Sequence, residues 1–219
     1  MKSAEIQGAF KEKNRIFTEN LDSCKGIKVY NEKLVKYKGR EFRSWNPYRS
    51  KLAAAILNGL KIEIKPNSKI LYLGAATGTT VSHVSDIVKE GVVYSVESSP
   101  VAVKNLIQLS EKRKNIIPIL GDANHPDRYS SIVSTVDLIY QDISQRNQAE
   151  IFISNVARYL KRDGNGILIV KARCIDVSLK PKKAYEIVCS ILEDNGLKIK
   201  EKIDLTPYEK DHAAIIVSA

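Results

Sequence analysis

The stretch Lys69–Val84, KILYLGAATGTTVSHV, decides the architecture. Its first part, Lys69–Gly74, is a short apolar run with the length of a buried strand. It opens without a spacer into Gly74-Ala75-Ala76-Thr77-Gly78-Thr79-Thr80, and a helical pattern over Val81–Val88 follows. Small residues between a strand and a helix let the backbone approach a ligand at the carboxyl edge of a sheet, so the loop reads as a nucleotide cradle. It lacks G-x-G-x-x-G, which argues against a dinucleotide pyrophosphate, and G-K-[ST], which argues against a P-loop.

On the C-terminal side, strands and helices alternate with short connections, the pattern of a doubly wound sheet. Further strands are expected at Val92–Val96, Ile116–Leu120, Val136–Gln141, Ile167–Lys171, Leu197–Ile203 and Ala213–Val217, seven in all with the first. Helices are expected at Val101–Arg113, Gln148–Leu160 and Lys182–Glu193, with a turn at Asp163-Gly164-Asn165-Gly166. The last two strands have no helix between them, so the sheet should close on an antiparallel hairpin. That ending resembles the Rossmann-like methyltransferases, whose last strand inserts between the fifth and sixth.

On the N-terminal side, Ser50–Leu57 is rich in helix formers and follows Pro47, with Ser50 or Tyr48 near the helix start. Before it lie β-prone runs at Arg15–Asp22 and Gly26–Trp45, with Asn31-Glu32 and Lys38-Gly39 as turn positions. The expected organisation is a small β-hairpin domain at 1–47 and a Rossmann-like α/β domain at 48–219. Lys and Arg number 35 against 25 Asp and Glu, a net +10 that suits a polyanion such as RNA or an acidic membrane surface. Cys24, Cys174 and Cys189 form no C-x-x-C pair, so neither zinc nor a disulfide framework is indicated. No run approaches the roughly 18 apolar residues of a membrane span, and no leader pattern is evident. A reducing cytoplasm is the expected compartment.

Glu97 closes the second strand about twenty residues after the glycine loop, where a carboxylate can accept both hydroxyls of an adenosine ribose. Asp122 and Ala123 follow the third strand, within reach of an adenine edge. Taken singly, either acid reads equally well as a helix cap or a solvated loop carboxylate. Together with the glycine loop they favour an adenosine cofactor.

The stretches Trp45–Ile56 (WNPYRSKLAAAI), Leu71–Asp86 (LYLGAATGTTVSHVSD), Asn115–Pro118 (NIIP) and Pro207–Ala213 (PYEKDHA) closely resemble fibrillarin, in its archaeal form. The resemblance implies S-adenosylmethionine-dependent methylation of ribose 2′-hydroxyls in rRNA, and in tRNA, directed by a C/D box guide RNA. It implies a particle with a Nop-domain scaffold protein and a kink-turn-binding ribosomal-type protein. It carries cofactor contacts onto Gly74, Ala75, Thr79, Thr80, Glu97, Ser98, Asp122, Ala123, Asp142, Ile143, Ser144 and Gln145. It carries a catalytic set onto Lys51, Asp142, Lys171 and His212. Thr77, Ser98 and Ile143-Ser144 depart from the family's commoner residues; at Ser98 an aromatic that would stack on adenine is missing.

The topology bears on that set independently. Asp142 follows the fourth strand, Lys171 ends the fifth and His212 begins the last, so all three emerge at the edge that holds the glycine loop. Methyl transfer to oxygen requires alignment and removal of a proton. Lys171 is expected to serve as general base or to orient the hydroxyl, with Asp142 positioning it. Lys51 would hold the target phosphate, and His212 would orient the ribose or relay the proton. Arg40, Arg43, Arg49 and Lys51 are expected to contact RNA, with Tyr48 as a stacking residue and Trp45 in the core. His83 reads as a packing or surface residue and His125 as part of a turn; neither has metal-ligand spacing, and no metal is expected. The rival readings are a methyltransferase for small molecules or proteins, a noncatalytic RNA-binding subunit, and a nicotinamide oxidoreductase.

Overall fold

A computed structural model describes residues 2–3 and 6–218. The N-terminal part forms an antiparallel sheet of β1 (Lys2–Ser3), β2 (Ala9–Glu12), β3 (Arg15–Glu19), β4 (Leu34–Tyr37) and β5 (Arg40–Trp45), ordered β1-β2-β3-β5-β4. Lys38 and Gly39 both take positive φ, 49° and 75°, and make the tight turn between β4 and β5 that their residue types indicate. Two points differ from the sequence reading. Lys2–Ser3 and Ala9–Glu12 are strands outside the expected runs, and Gly26–Lys33, inside one of them, carries no strand. The cause of the second is Glu32, whose carboxylate accepts the N–H groups of Val29 and Tyr30 at 2.8–3.0 Å and turns the chain back on itself. Backbone donors satisfied this way are withdrawn from any ladder.

Ser50 caps α1 (Lys51–Leu57) by accepting the N–H of Ala53. There follow β6 (Lys69–Leu73), α2 (Thr79–Ile87), β7 (Val92–Glu97), α3 (Pro100–Lys112), β8 (Ile116–Leu120), β9 (Val136–Gln141), α4 (Gln148–Tyr159), β10 (Leu160–Lys171), α5 (Ala172–Ile175), α6 (Pro181–Asp194), β11 (Lys198–Asp204) and β12 (His212–Ser218). The seven strands order as β11-β12-β10-β9-β6-β7-β8. The five from β8 to β10 run parallel, and β12 is antiparallel to both its neighbours. This is the Rossmann-like methyltransferase fold, with the expected insertion of the last strand.

Side chains alternate across each strand, and the core follows that period. Ile70, Tyr72, Ile167, Ile169, Ala214 and Ile216 join α1, α2 and Leu106 of α3 on one face. Leu71, Leu73, Leu168, Val170, Ala213, Ile215 and Val217 join α4 and α6 on the other. Of the expected turn Asp163–Gly166, Asp163 and Gly164 fall in a bulge inside β10, while Asn165 and Gly166 already pair with both neighbouring strands. Between Leu160↔Val136 and Asn165↔Leu138 one strand advances five residues while its neighbour advances two. The surplus residues loop out and the ladder then resumes.

A buried charge cluster joins the N-terminal sheet to α2. Arg43 of β5 is fully buried and pairs with Glu32 at 2.7 Å and Asp86 at 2.8 Å; Arg113 reaches the other oxygen of Asp86 at 2.5 Å. The expected RNA contact at Arg43 is therefore corrected: its guanidinium is spent on internal carboxylates. Thr18 Oγ1 donates to Asp86 and accepts from Nδ1 of His83, whose Nε2 faces the Tyr30 hydroxyl at 2.7 Å. Trp45 stacks on the His83 ring, with centroids 4.8 Å apart. Both residues are buried: Trp45 in the core as expected, and His83 as a packing residue, the first of its two expected alternatives.

Candidate functional site

The glycine loop is held from both sides. Gly74 and Ala75 donate to Val96 O on β7, and Asp142 N donates to Leu73 O at 2.9 Å, so the ends of β6, β7 and β9 meet. Gly74 has φ of 82°, and a Cβ built on it would stand 2.4 Å from the carbonyl oxygen of Asp142. Only glycine leaves room for that close approach. Ala76 also has positive φ, and its N–H donates to Glu97 Oε2 at 2.8 Å, while Ser99 N donates to Glu97 Oε1 at 2.9 Å. Glu97 thus bridges two loops. Asp122 accepts the backbone N–H and the side-chain amide of Asn124, and those bonds hold its carboxyl below the usual range.

These loops enclose a cleft of about 440 Å³ at the carboxyl edge of the sheet. It is lined by Lys51, Gly74, Ala76, Val96, Glu97, Ser98, Gly121, Asp122, Ala123, Asp142, Ile143, Ser144, Gln145 and Lys171. Of the residues expected from sequence, Ala75, Thr79, Thr80 and His212 are not on its wall. Ala75 is buried in the core, Thr79 borders a different hollow, and Thr80 Oγ1 donates to Ser50. Ala76, Val96 and Gly121 line the cleft without having been marked; each sits beside a marked residue at a strand end, which was the available signal. Larger hollows of about 590 and 730 Å³ flank the N-terminal sheet, and neither gathers amines on a carboxylate as this cleft does.

Lys51, the first residue of α1, places Nζ 3.2 Å from Asp142 Oδ2. Lys171, the last of β10, places Nζ 3.0 Å from Oδ1 and also donates to Ser144 Oγ. Oδ1 nonetheless receives no well-directed hydrogen bond, so the Lys171 contact is one of proximity. All three side chains are at most 19% exposed, which leaves two cations on one carboxylate in a partly desolvated place. The phenols beneath are unavailable as bases. Burial, then the nearby charge of Asp142, pushes Tyr72 far up; burial, Tyr72 and Asp142 do the same to Tyr140. His212 Nδ1 lies 2.7 Å from Lys210 O and donates to it, which in a neutral ring leaves Nε2 as an acceptor.

A family model described as Fibrillarin matches residues 3–219. The chain belongs to the fibrillarin family. It is 50% identical over 203 residues to a fibrillarin-like rRNA/tRNA 2′-O-methyltransferase of Methanocaldococcus jannaschii, covering 92% of this chain and 87% of that one. Among solved structures it is similar to the chain of a fibrillarin/Nop5p complex, with TM-score 0.90, 41% identity and 99% of each chain covered. It is also similar to Aeropyrum pernix fibrillarin in complex with natively bound S-adenosyl-L-methionine, with TM-score 0.83, 44% identity and coverage of 93% of this chain and 88% of that one.

In this member of the fibrillarin family the cations expected at RNA divide into two groups. Arg40 is paired with Glu19 and lies over Phe10 and Phe42, and Arg43 is buried. Arg49 is exposed, with its guanidinium over the Tyr30 ring, two residues from the cleft-lining Lys51; Tyr48, just before Arg49, is 63% exposed.

Proposed function

We propose that this chain transfers a methyl group from S-adenosylmethionine to ribose 2′-hydroxyls of rRNA and tRNA. It would do so as the catalytic subunit of a C/D box ribonucleoprotein, in which a guide RNA selects the nucleotide. The observation that carries the reading is the convergence of Lys51 and Lys171 on Asp142 at the mouth of the cleft. Relatives named as rRNA/tRNA 2′-O-methyltransferases and a relative with bound S-adenosylmethionine support it. The Nop5p complex of another relative supports a Nop-domain scaffold as partner. Guide RNA and a kink-turn-binding protein complete the assembly, and a cytoplasmic location follows from it; among the described residues no helix is long and apolar enough to cross a membrane. We read residues 1–47 as a β domain bracing the catalytic unit at 48–219.

The cleft residues fit the cofactor. Its volume lies within the range of small-molecule sites, its wall at Gly74 is bare where a Cβ would collide with Asp142, and Glu97 offers a carboxylate to ribose hydroxyls. Ser98, Asp122, Ala123 and the run Asp142–Gln145 would hold the rest. When bound, the cofactor supplies an electrophilic methyl on a sulfonium. The chain's own residues orient the ribose oxygen and take its proton. Lys171 acts on the hydroxyl, orienting it as the ammonium or taking its proton as the neutral amine, and Asp142 fixes its position. Lys51 is engaged by Asp142, so we assign it to holding that carboxylate rather than the target phosphate. His212 orients the ribose from the neighbouring strand.

The test is reconstitution with guide RNA, scaffold and kink-turn-binding protein, followed by mapping of the methylated nucleotide. A changed guide sequence should move the 2′-O-methyl mark to the newly paired position. Methylation that ignores the guide, or a product methylated on a base, would overturn the assignment.

A further inference from the structure

The ladder between β9 and β10 ends at Gln141↔Leu168. Ile169, Val170 and Lys171 therefore have a strand partner only in β12. On the open side, Lys171 N donates to Gln148 Oε1 at 3.1 Å, and Gln148 Nε2 reaches Lys171 O at 3.5 Å. One side-chain amide thus meets both polar groups of one residue, as a neighbouring strand would. Gln148 is fully buried as the first residue of α4. Its Nε2 also donates to Gln145 O at 3.2 Å, and its own carbonyl accepts from Gln141 Nε2 at 2.6 Å.

A closed brace results, from the last residue of β9 through the first of α4 to the last of β10. It spans the loop that carries Asp142, Ser144 and Gln145. If filling the core were the only demand, an apolar side chain of equal length would serve, because a buried amide costs stability unless its groups are paired. We propose that Gln148 is a positioning residue: it stands in for the missing strand and holds Lys171 so that its amine stays on Asp142 and Ser144. This rests on the reading of Lys171 as the group acting on the hydroxyl. Sub-ångström placement of such a group governs the chemical step far more than it governs cofactor binding.

The test uses Gln148→Met and Gln148→Glu in the reconstituted particle. For Gln148→Met, kcat should fall about 100-fold while the RNA KM stays within about twofold. Hydrogen exchange at the Lys171 amide should accelerate in the same variant. In Gln148→Glu, the neutral acid reproduces one donor and one acceptor, so the ratio of its kcat to wild type should rise as pH falls. The proposal is overturned by a Gln148→Met kcat within twofold of wild type, by an unchanged exchange rate at the Lys171 amide, or by a pH-independent Gln148→Glu ratio. If Gln148→Met does not fold, the Gln148→Glu ratio decides. A wild-type particle that makes no 2′-O-methyl product sinks the functional reading instead, and exchange at the Lys171 amide still reports on the brace.

Discussion

Lys171 stands directly opposite His212 in the antiparallel β10–β12 ladder, so the two side chains leave the sheet on the same face. Their roles differ by geometry: Lys171 lines the cleft and touches Asp142, while His212 lies outside the lining with one ring nitrogen bound to Lys210 O. Lys171→Ala should lower guide-directed methylation by about 10²–10⁴-fold. His212→Ala should cost about tenfold, through ribose orientation. Both should bind S-adenosylmethionine as wild type does in calorimetry. The assignment is wrong if the alanine at 171 leaves the single-turnover rate intact.

Glu97 holds the glycine loop to the start of α3 through Ala76 and Ser99, and it offers the same carboxylate to a cofactor ribose. Removing it takes away charge-assisted hydrogen bonds on both counts. Glu97→Ala should weaken S-adenosylmethionine binding by about 10–100-fold, whereas Glu97→Gln should lose less. Equal affinity in all three proteins would show that the ribose lies elsewhere.

Gly74→Ala tests the close approach of the residues that follow β6 and β9. The added methyl would meet the Asp142 carbonyl, and the residue would be held at a φ that alanine resists. A loss of about 1–3 kcal/mol is expected from the strain alone. Since relief requires Asp142 to move, methylation should fall further than stability explains. Urea unfolding together with single-turnover rates separates the two effects.

Much of this was legible because it is local. The apolar runs at Lys69–Gly74 and Ile116–Leu120 have strand length and clear turn boundaries, and the helix-free end of the chain signalled the reversed hairpin. Asp142 and Lys171 could be placed at one edge because strand ends in such a sheet share that edge. What was not legible depends on distant chain. Lys51 meets Asp142 across 91 residues, and nothing in its own helix says which partner it finds. Arg43 looked like a surface cation by charge, yet its carboxylates, Glu32 and Asp86, come from two separate segments. Gln148 looked like a helix start, because its role depends on where β9 stops pairing.

His83 gives the fold a pH response above the acid range of carboxylates. Burial, reinforced by the charges of Arg43 and Arg113, holds its imidazole well below the ordinary 6.5. The hydrogen bonds place a proton on Nδ1: Thr18 Oγ1 gives its own proton to Asp86, so it takes one from His83 Nδ1, while the Tyr30 hydroxyl lies 2.7 Å from Nε2 and also donates to Ser44 O. The native ring is neutral, because burial and the two nearby guanidinium groups oppose a second proton. Above about pH 6.5 the native and unfolded states both hold a neutral imidazole, and this group's contribution is fully present. Below it the unfolded chain binds a proton that the native state refuses, so stability falls with pH, by up to about 1.4 kcal/mol per unit. Glu32 responds lower. Burial would raise its carboxyl, but Arg43 and the N–H groups of Tyr30 and Val29 outweigh that and hold it below 4.5, so its contribution is lost only in stronger acid. Urea unfolding at pH 7.5, 6.5 and 5.5 should therefore show a decline in wild type that is much shallower in His83→Gln. Parallel declines in the two proteins would place the proton uptake at another group.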